Sequence, residues 1–327
     1  MKRIHSFEQL CQYIDQYSVE QILAQGEKKF DMDSRLRNYE RAIVFHEMRK
    51  GNKNAMTDFA QHKKQYHEWF KWTQCMDPTY NKYYRILLQD LVQNIAKYRR
   101  TFELLEDEVS RKVFFDICYW RLVRQSHYLV DAFYLSENGQ YFEPFEKLSG
   151  QEVFVDCGGW IGDSVEKFIQ YTGSYRKIFL YEADKENIRK AQNNLRKFDN
   201  IIYRGVGVGE KHANLKFNAT GLSSSSFDCN NDEGGIVEVV PLDDDIQEEI
   251  TFVKMDVEGM ELSVLKGSVK HIQQDRPVLA VCLYHNPEDI YEIPLFIDSI
   301  ANKYKYYIRH YTLHHGETVL YAVPQER

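Results

Sequence analysis

Through the first 150 residues the apolar positions recur at helical spacing, whereas beyond residue 150 they gather in short β-branched runs. Phe7, Leu10, Cys11, Ile14, Tyr17 and Ile22 stand mostly three or four apart behind Ser6, which predicts a capped helix over 6–25. A second helix is expected over about 33–50, ending at Gly51. Two long ones are expected over 54–75 and 79–100, parted by Asp77-Pro78, and another over 106–124. Tyr128–Leu135 is apolar and fits either helix or strand. The Asn138-Gly139 turn and the Glu143-Pro144 step then mark a linker, dividing the chain into a helical region, 1–150, and a second domain, 151–327.

In the second domain strands are expected at Glu152–Asp156, Lys177–Glu182, Ile201–Arg204, Thr251–Asp256, Val278–Tyr284, Tyr306–Tyr311 and Val319–Val323. Helical segments at about 163–171, 185–197, 259–272 and 287–303 fit between most of them, the signature of a parallel sheet with crossover helices. The insert 206–248 holds a further strand pair, Asn214–Ala219 and Ile236–Val240, and a serine- and glycine-rich loop, 221–235, that is a candidate lid. The last two strands are joined tightly through Leu313-His314-His315-Gly316-Glu317, so they form a hairpin and one of them runs antiparallel. The expected fold is α/β, a Rossmann-like, doubly wound sheet with a terminal antiparallel hairpin, preceded by an all-α region.

Composition narrows the class. With 43% hydrophobic and 28% charged residues the chain is globular, and no apolar run approaches the roughly 20 residues that span a bilayer. The N-terminus has no unbroken apolar stretch of the signal-peptide kind, so a cytoplasmic location is expected. The six cysteines are scattered without a CxxC pair or close Cys/His spacing, which leaves reduced thiols and no metal ion as the expectation. Asp243-Asp244-Asp245 reads as structure and solubility, because three adjacent acids rarely converge on one ion. The net charge of −7 conceals a basic stretch: residues 41–100 carry 12 Lys and Arg against 5 acids. Interleaved with Tyr66, Trp69, Phe70 and Trp72, it suits peripheral contact with an anionic carrier or membrane surface. The solvated face of amphipathic helices is the favoured reading, and no strong nucleic-acid signal stands out.

The chemistry concentrates at strand ends. Val153–Val155 leads to Asp156-Cys157-Gly158-Gly159-Trp160-Ile161-Gly162-Asp163-Ser164, a buried strand, a glycine-rich turn and a helix start. The spacing is D-x-G-G-x-x-G; Cys157 stands where a dinucleotide fingerprint begins with glycine, which weakens an NAD-dependent oxidoreductase reading. A pyrophosphate wants a bare helix N-terminus, whereas S-adenosylmethionine has no phosphate but an amino acid head and a sulfonium cation. Asp156 then serves the ammonium or organises the loop, and Asp163 and Ser164 hydrogen-bond the ligand or cap the helix. Glu182 ends the next strand about 20 residues on, where a carboxylate meets a ribose, with Ala183 beside it, while Asp184 is the cap of the helix starting at Lys185.

These residues, with Lys254-Met255-Asp256-Val257-Glu258-Gly259-Met260-Glu261, Leu265-Lys266-Gly267, Pro241-Leu242-Asp243-Asp244 and Tyr284-His285, resemble the FkbM family of methyltransferases over about 150–325. The resemblance implies a class I fold, S-adenosylmethionine as cofactor, and O-methylation of a hydroxyl on a sugar, glycan or natural-product acceptor. The cofactor residues expected are Asp156, Gly158, Gly159, Gly162, Asp163, Ser164, Glu182 and Ala183. An alcohol acceptor needs a base; His285 is the first candidate, Asp256 and Glu258 the next. Lys254 either contacts substrate or pairs with Asp256 or Glu258, and Glu261 suits the first turn of a helix. The helical region caps the acceptor site, forms a homodimer or docks a carrier; a non-catalytic binding protein on the same fold is the rival reading.

Overall fold

The computed structural model describes residues 4–327 apart from 28–39, 41–42, 45–46, 49–52, 72–77, 125–126, 135, 137, 219–225, 228–234 and 313. The chain forms two compact units, one of Met1–Ser136 with Tyr307–Thr318, the other of Glu137–Tyr306 with Val319–Arg327.

The first unit is helical: α1 (Phe7–Ile14), α2 (Val19–Glu27), α3 (Ala55–Lys71), α4 (Pro78–Gln93), α5 (Ile95–Leu104), α6 (Glu108–Val123) and α7 (His127–Ala132). Ser6 caps α1 by accepting from Gln9 N, but the segment expected as one helix over 6–25 breaks after Ile14. There the Ser18 hydroxyl accepts from Gln21 N and opens α2 as a new helix. The helix expected over 79–100 likewise breaks, at Asn94, whose side chain turns back onto Asp90. The helix expected over 33–50 lies largely outside the described residues, as do Trp72 and most of the loop 221–235. In α4 the face carrying Tyr84, Leu87, Leu88 and Leu91 is buried while Lys82 and Arg85 are exposed, an amphipathic division. Phe7 stacks on Phe102 at 4.3 Å and meets Phe114 edge-on at 5.5 Å, joining α1, α5 and α6. The Tyr307–Thr318 segment is tied to this unit by Arg309, which pairs with the α6 cap Asp107 at 2.7 Å, and by Ile308 N, which donates to Ser110 Oγ.

Most of a seven-stranded sheet of order β10-β11-β9-β8-β1-β2-β3 belongs to the second unit, the exceptions being the part of β10 from Tyr307 onward and Thr318 of β11. The strands of the sheet are β1 (Val153–Cys157), β2 (Lys177–Tyr181), β3 (Ile201–Arg204), β8 (Phe252–Met255), β9 (Val278–Cys282), β10 (Tyr304–His310) and β11 (Thr318–Pro324). β1, β2, β3, β8 and β9 pair in parallel, and β11 runs antiparallel to β9. The order reverses between β1 and β8, so the C-terminal ends of these two strands open the crevice where doubly wound sheets take ligands. Central position explains composition: every residue of β1, β8 and β9 is buried, which favours apolar runs over alternation, interrupted only by the paired Asp156 and Lys254. Phe154, Phe168 and Phe252 stack at the middle of the core, with Phe154 at 4.5 Å from Phe168 and 4.9 Å from Phe252.

The crossover helices are α8 (Asp163–Thr172), α9 (Lys185–Asn194), α11 (Glu261–Lys266), α12 (Val269–Gln274) and α13 (Asp289–Ile300). The helix expected over 259–272 is two helices, parted at Gly267-Ser268. A Cβ at Gly267 would lie 2.0 Å from the Gly209 carbonyl oxygen, so the backbone approach that parts them excludes any side chain. The insert folds as a second sheet of order β4-β7-β5-β6, where β5 (Ala213–Asn218) and β7 (Gly235–Val240) are the expected strand pair and run antiparallel. β4 (Gly207–Val208) and β6 (Ser226–Phe227) are added to it, and a short helix, α10 (Leu242–Asp245), follows. The three acids of Asp243–Asp245 diverge: Asp243 accepts from Lys270 N and His271 N, Asp244 meets His212, and Asp245 takes the Tyr181 hydroxyl and Arg204.

Candidate active site

The turn after β1 is shaped by close backbone approach. Gly158 and Gly159 both donate their N–H to the Tyr181 carbonyl, folding the turn against the end of β2. Gly158 has φ +81°, and a Cβ there would sit 1.8 Å from the Asp256 carbonyl oxygen. Gly158→Ala is therefore expected to destabilise the protein by about 2–4 kcal/mol, from strained φ and overpacking together. Gly173, with φ +73° and nothing within 4 Å of its Cβ position, is the control. Gly173→Ala should cost about 1–2 kcal/mol; equal losses in thermal melts would mean that the approach to Asp256 is unimportant.

Asp156 lies at the buried end of β1, across from Lys254 on β8 in strand register. Lys254 Nζ stands 3.1 Å from Asp156 Oδ1 and donates to the Gly158 carbonyl at 2.6 Å, while the Ser164 hydroxyl donates to Asp156 Oδ2. Burial disfavours the ammonium, but the charges of Asp156 and Asp256 outweigh it and push Lys254 up. Of the two partners expected for Lys254, neither holds it; Asp156 does, because parallel pairing sets the two side by side. Asp156 thus organises the loop, with both oxygens engaged inside the protein. Ser164 serves Asp156 rather than capping α8. Asp163 is the first residue of that helix, behind Gly162 at φ +86°, and faces Lys167 at 3.5 Å.

Glu182 stands at the end of β2, nearly buried. Its Oε2 accepts from Trp160 N at 2.9 Å and its Oε1 from Asp184 N at 2.7 Å, which ties it to the glycine turn. Burial pushes Glu182 up to about 7, with the two backbone N–H groups and Lys254 pulling it back and Asp184 adding to the rise. Ala183 is half-buried beside it, and Asp184 caps α9 by accepting from Glu186 N and Asn187 N.

A second cluster forms at the ends of β8 and β9. Asp256 accepts from the Tyr141 hydroxyl at 3.0 Å and the Tyr284 hydroxyl at 3.1 Å. Desolvation would raise it, but Lys254, His285 and the Tyr141 hydrogen bond hold its carboxyl below the usual range. His285 Nε2 lies 3.5 Å from both Asp256 Oδ1 and Glu258 Oε2, and Nδ1 lies 2.8 Å from Glu261 Oε1. Burial favours the neutral ring; Glu261, Asp256 and Glu258 outweigh it and take His285 up to about 9. Glu261, fully buried in the first turn of α11, also accepts from Val257 N. Glu258 adopts φ +53° ahead of Gly259 at +94°, a strained turn of the kind that gathers at functional sites.

The three candidate bases are therefore together, and Asp156, the glycine turn, Ser164 and Glu182 form a neighbouring group linked to them through Lys254. Tyr141 escaped the sequence reading. It belongs to the stretch read as linker, carries φ +76°, and its ring lies 5.4 Å from Lys254 Nζ. Nothing local marks it, since its hydroxyl reaches Asp256 and Cys282, both more than 100 residues away.

Residues 156–308 match the methyltransferase FkbM domain family. Among solved structures, the methyltransferase FkbM from Methylobacillus flagellatus KT aligns at 29% identity and a TM-score of 0.63. The match covers 71% of this chain and 60% of that one, so the chain spans less than two thirds of its relative. An rRNA methylase from Streptococcus thermophilus aligns at 13% identity, 57% and 99% coverage, and a TM-score of 0.37. A precorrin-6y C5,15-methyltransferase from Geobacter metallireducens GS-15 aligns at 12% identity, 59% and 95% coverage, and a TM-score of 0.36. No curated protein matches the chain. The matched segment contains every candidate residue described above except Tyr141. Among the described residues no helix is long and apolar enough to cross a membrane.

Proposed function

We propose that the protein transfers a methyl group from S-adenosylmethionine to a hydroxyl of a sugar, glycan or natural-product acceptor. Glu182 carries this reading. Each of its oxygens spends one lone pair on a backbone N–H and keeps another, so the carboxylate can accept both hydroxyls of a ribose at the strand end beside the glycine turn. The surroundings fit this cofactor better than a dinucleotide. Asp163 and Glu166 fill the first turn of α8, where a pyrophosphate would need bare N–H groups, and the acids beyond β8 favour a cation.

When bound, S-adenosylmethionine supplies an electrophilic methyl on a sulfonium, and the protein has to align an alcohol and take its proton. Asp256, kept ionised and oriented by two tyrosine hydroxyls, accepts the hydroxyl proton as the C–O bond forms and the C–S bond breaks. His285, charged at neutral pH through Glu261, holds that carboxylate in place and donates toward the acceptor.

Calorimetric titration at pH 8 tests the donor half: saturable 1:1 binding of S-adenosylmethionine and none of NAD is expected, and the reverse would sink it. Affinity should also depend on acid. Glu182 must be ionised to accept four hydrogen bonds, and it titrates at about 7. Binding should therefore be strong above pH 7 and weaken by up to about tenfold per unit below it. Constant affinity from pH 5.5 to 8 would count against Glu182 as the ribose contact. Labelled methyl transfer to sugar, nucleotide-sugar and glycolipid acceptors tests the acceptor half.

A further inference from the structure

Three carboxylates gather around His285. Asp256, Glu258 and Glu261 all face one imidazole, and Lys254 is committed to Asp156 and the Gly158 carbonyl. Asp256, Glu261 and His285 each offer one ligand atom, and these atoms lie within 4.8 Å of one another. Ligands held at about 2.1 Å by a first-row cation stand roughly 3–4 Å apart, so a small movement makes the three converge. A second observation points the same way: Glu261 is fully buried, and its Oε2 has no hydrogen-bond partner among the described residues. A buried carboxylate oxygen is seldom left so, and a cation is the partner this neighbourhood can recruit. Outer support is present as well, since the Tyr141 and Tyr284 hydroxyls fix the orientation of Asp256.

We propose that Asp256, Glu261 and His285 form a site for one divalent cation of the manganese or zinc class. One imidazole with two carboxylates suits these borderline ions better than calcium or magnesium, which prefer all-oxygen sites. Its role rests on the methyl-transfer reading: bound in place of the imidazolium proton of His285, a cation at the ends of β8 and β9 would coordinate the acceptor hydroxyl and ease its deprotonation, favouring acceptors with two adjacent hydroxyls. The binding itself does not rest on that reading.

The full chain, stripped with a chelator, is titrated with manganese chloride and with zinc chloride by calorimetry, and the manganese arm is followed by electron paramagnetic resonance. One saturable equivalent is expected, weakened at least tenfold in His285→Ala and in Asp256→Asn, with circular dichroism confirming the fold. If His285→Ala does not fold, the nearly isosteric Asp256→Asn carries the same comparison. Absence of stoichiometric binding of either ion, or binding unchanged in folded variants, overturns the proposal. The same sample is titrated with S-adenosylmethionine. Donor binding without cation binding rejects the cation site alone, whereas cation binding without donor binding supports the site and rejects the methyl-transfer reading.

Discussion

Glu182→Ala is expected to weaken S-adenosylmethionine binding by roughly 10²–10⁴-fold, the largest effect of any single change on the donor side. Two hydrogen bonds from ribose hydroxyls to a carboxylate contribute about 1.5–3 kcal/mol each, and alanine removes both. The substitution also strips the acceptor from Trp160 N and Asp184 N, which loosens the glycine turn and adds to the loss. Glu182→Gln separates these contributions: its single carbonyl still takes one N–H, so the turn is better kept while the diol contact is halved. Calorimetry beside a thermal melt distinguishes them. A folded Glu182→Ala protein that binds within about threefold of the parent would remove Glu182 from the donor site.

Lys254→Met is expected to lower stability by about 3–5 kcal/mol, because it leaves Asp156 charged, fully buried and without its counterion. For a unit of this size the melting temperature should fall by roughly 6–20 °C. The Lys254→Met/Asp156→Asn double variant should recover a large part of the loss, since the uncompensated charge is then gone. If the double variant melts no higher than the single one, the ion pair is not what holds the ends of β1 and β8 together. The same cycle reports on function. Lys254 also lies near Asp256 electrostatically, so the stable double variant should bind the donor yet transfer methyl groups slowly.

Much of the second unit was legible in the sequence. The runs Val153–Cys157, Phe252–Met255 and Val278–Cys282 are apolar apart from Asp156 and Lys254 because strands covered on both faces tolerate little alternation, and that pattern is local. Asp184 before Lys185 announced a helix start, since its short carboxylate reaches only its own neighbours' N–H groups. Helix breaks were harder. Asn94 and Ser18 interrupt strongly periodic segments through short-range side-chain bonds, which periodicity summed over a window does not register. The cluster around His285 was half legible: Asp256, Glu258 and His285 were marked by position at strand ends, but the imidazole's tie to Glu261 was not.

The opening pattern of apolar and polar positions by itself determined the helical first half, the doubly wound sheet of the second, and the strand ends where ligand chemistry belongs. These depend on spacings of two to four residues, which the backbone geometry imposes wherever the chain lies. Only the tertiary structure decided that Lys254 pairs with Asp156, that Tyr141 reaches Asp256 across 115 residues, and that Tyr307–Thr318 clusters with the helices. Those outcomes follow from strand register and packing between distant segments. A charged side chain several ångströms from many candidate partners pairs with the one that the register places beside it.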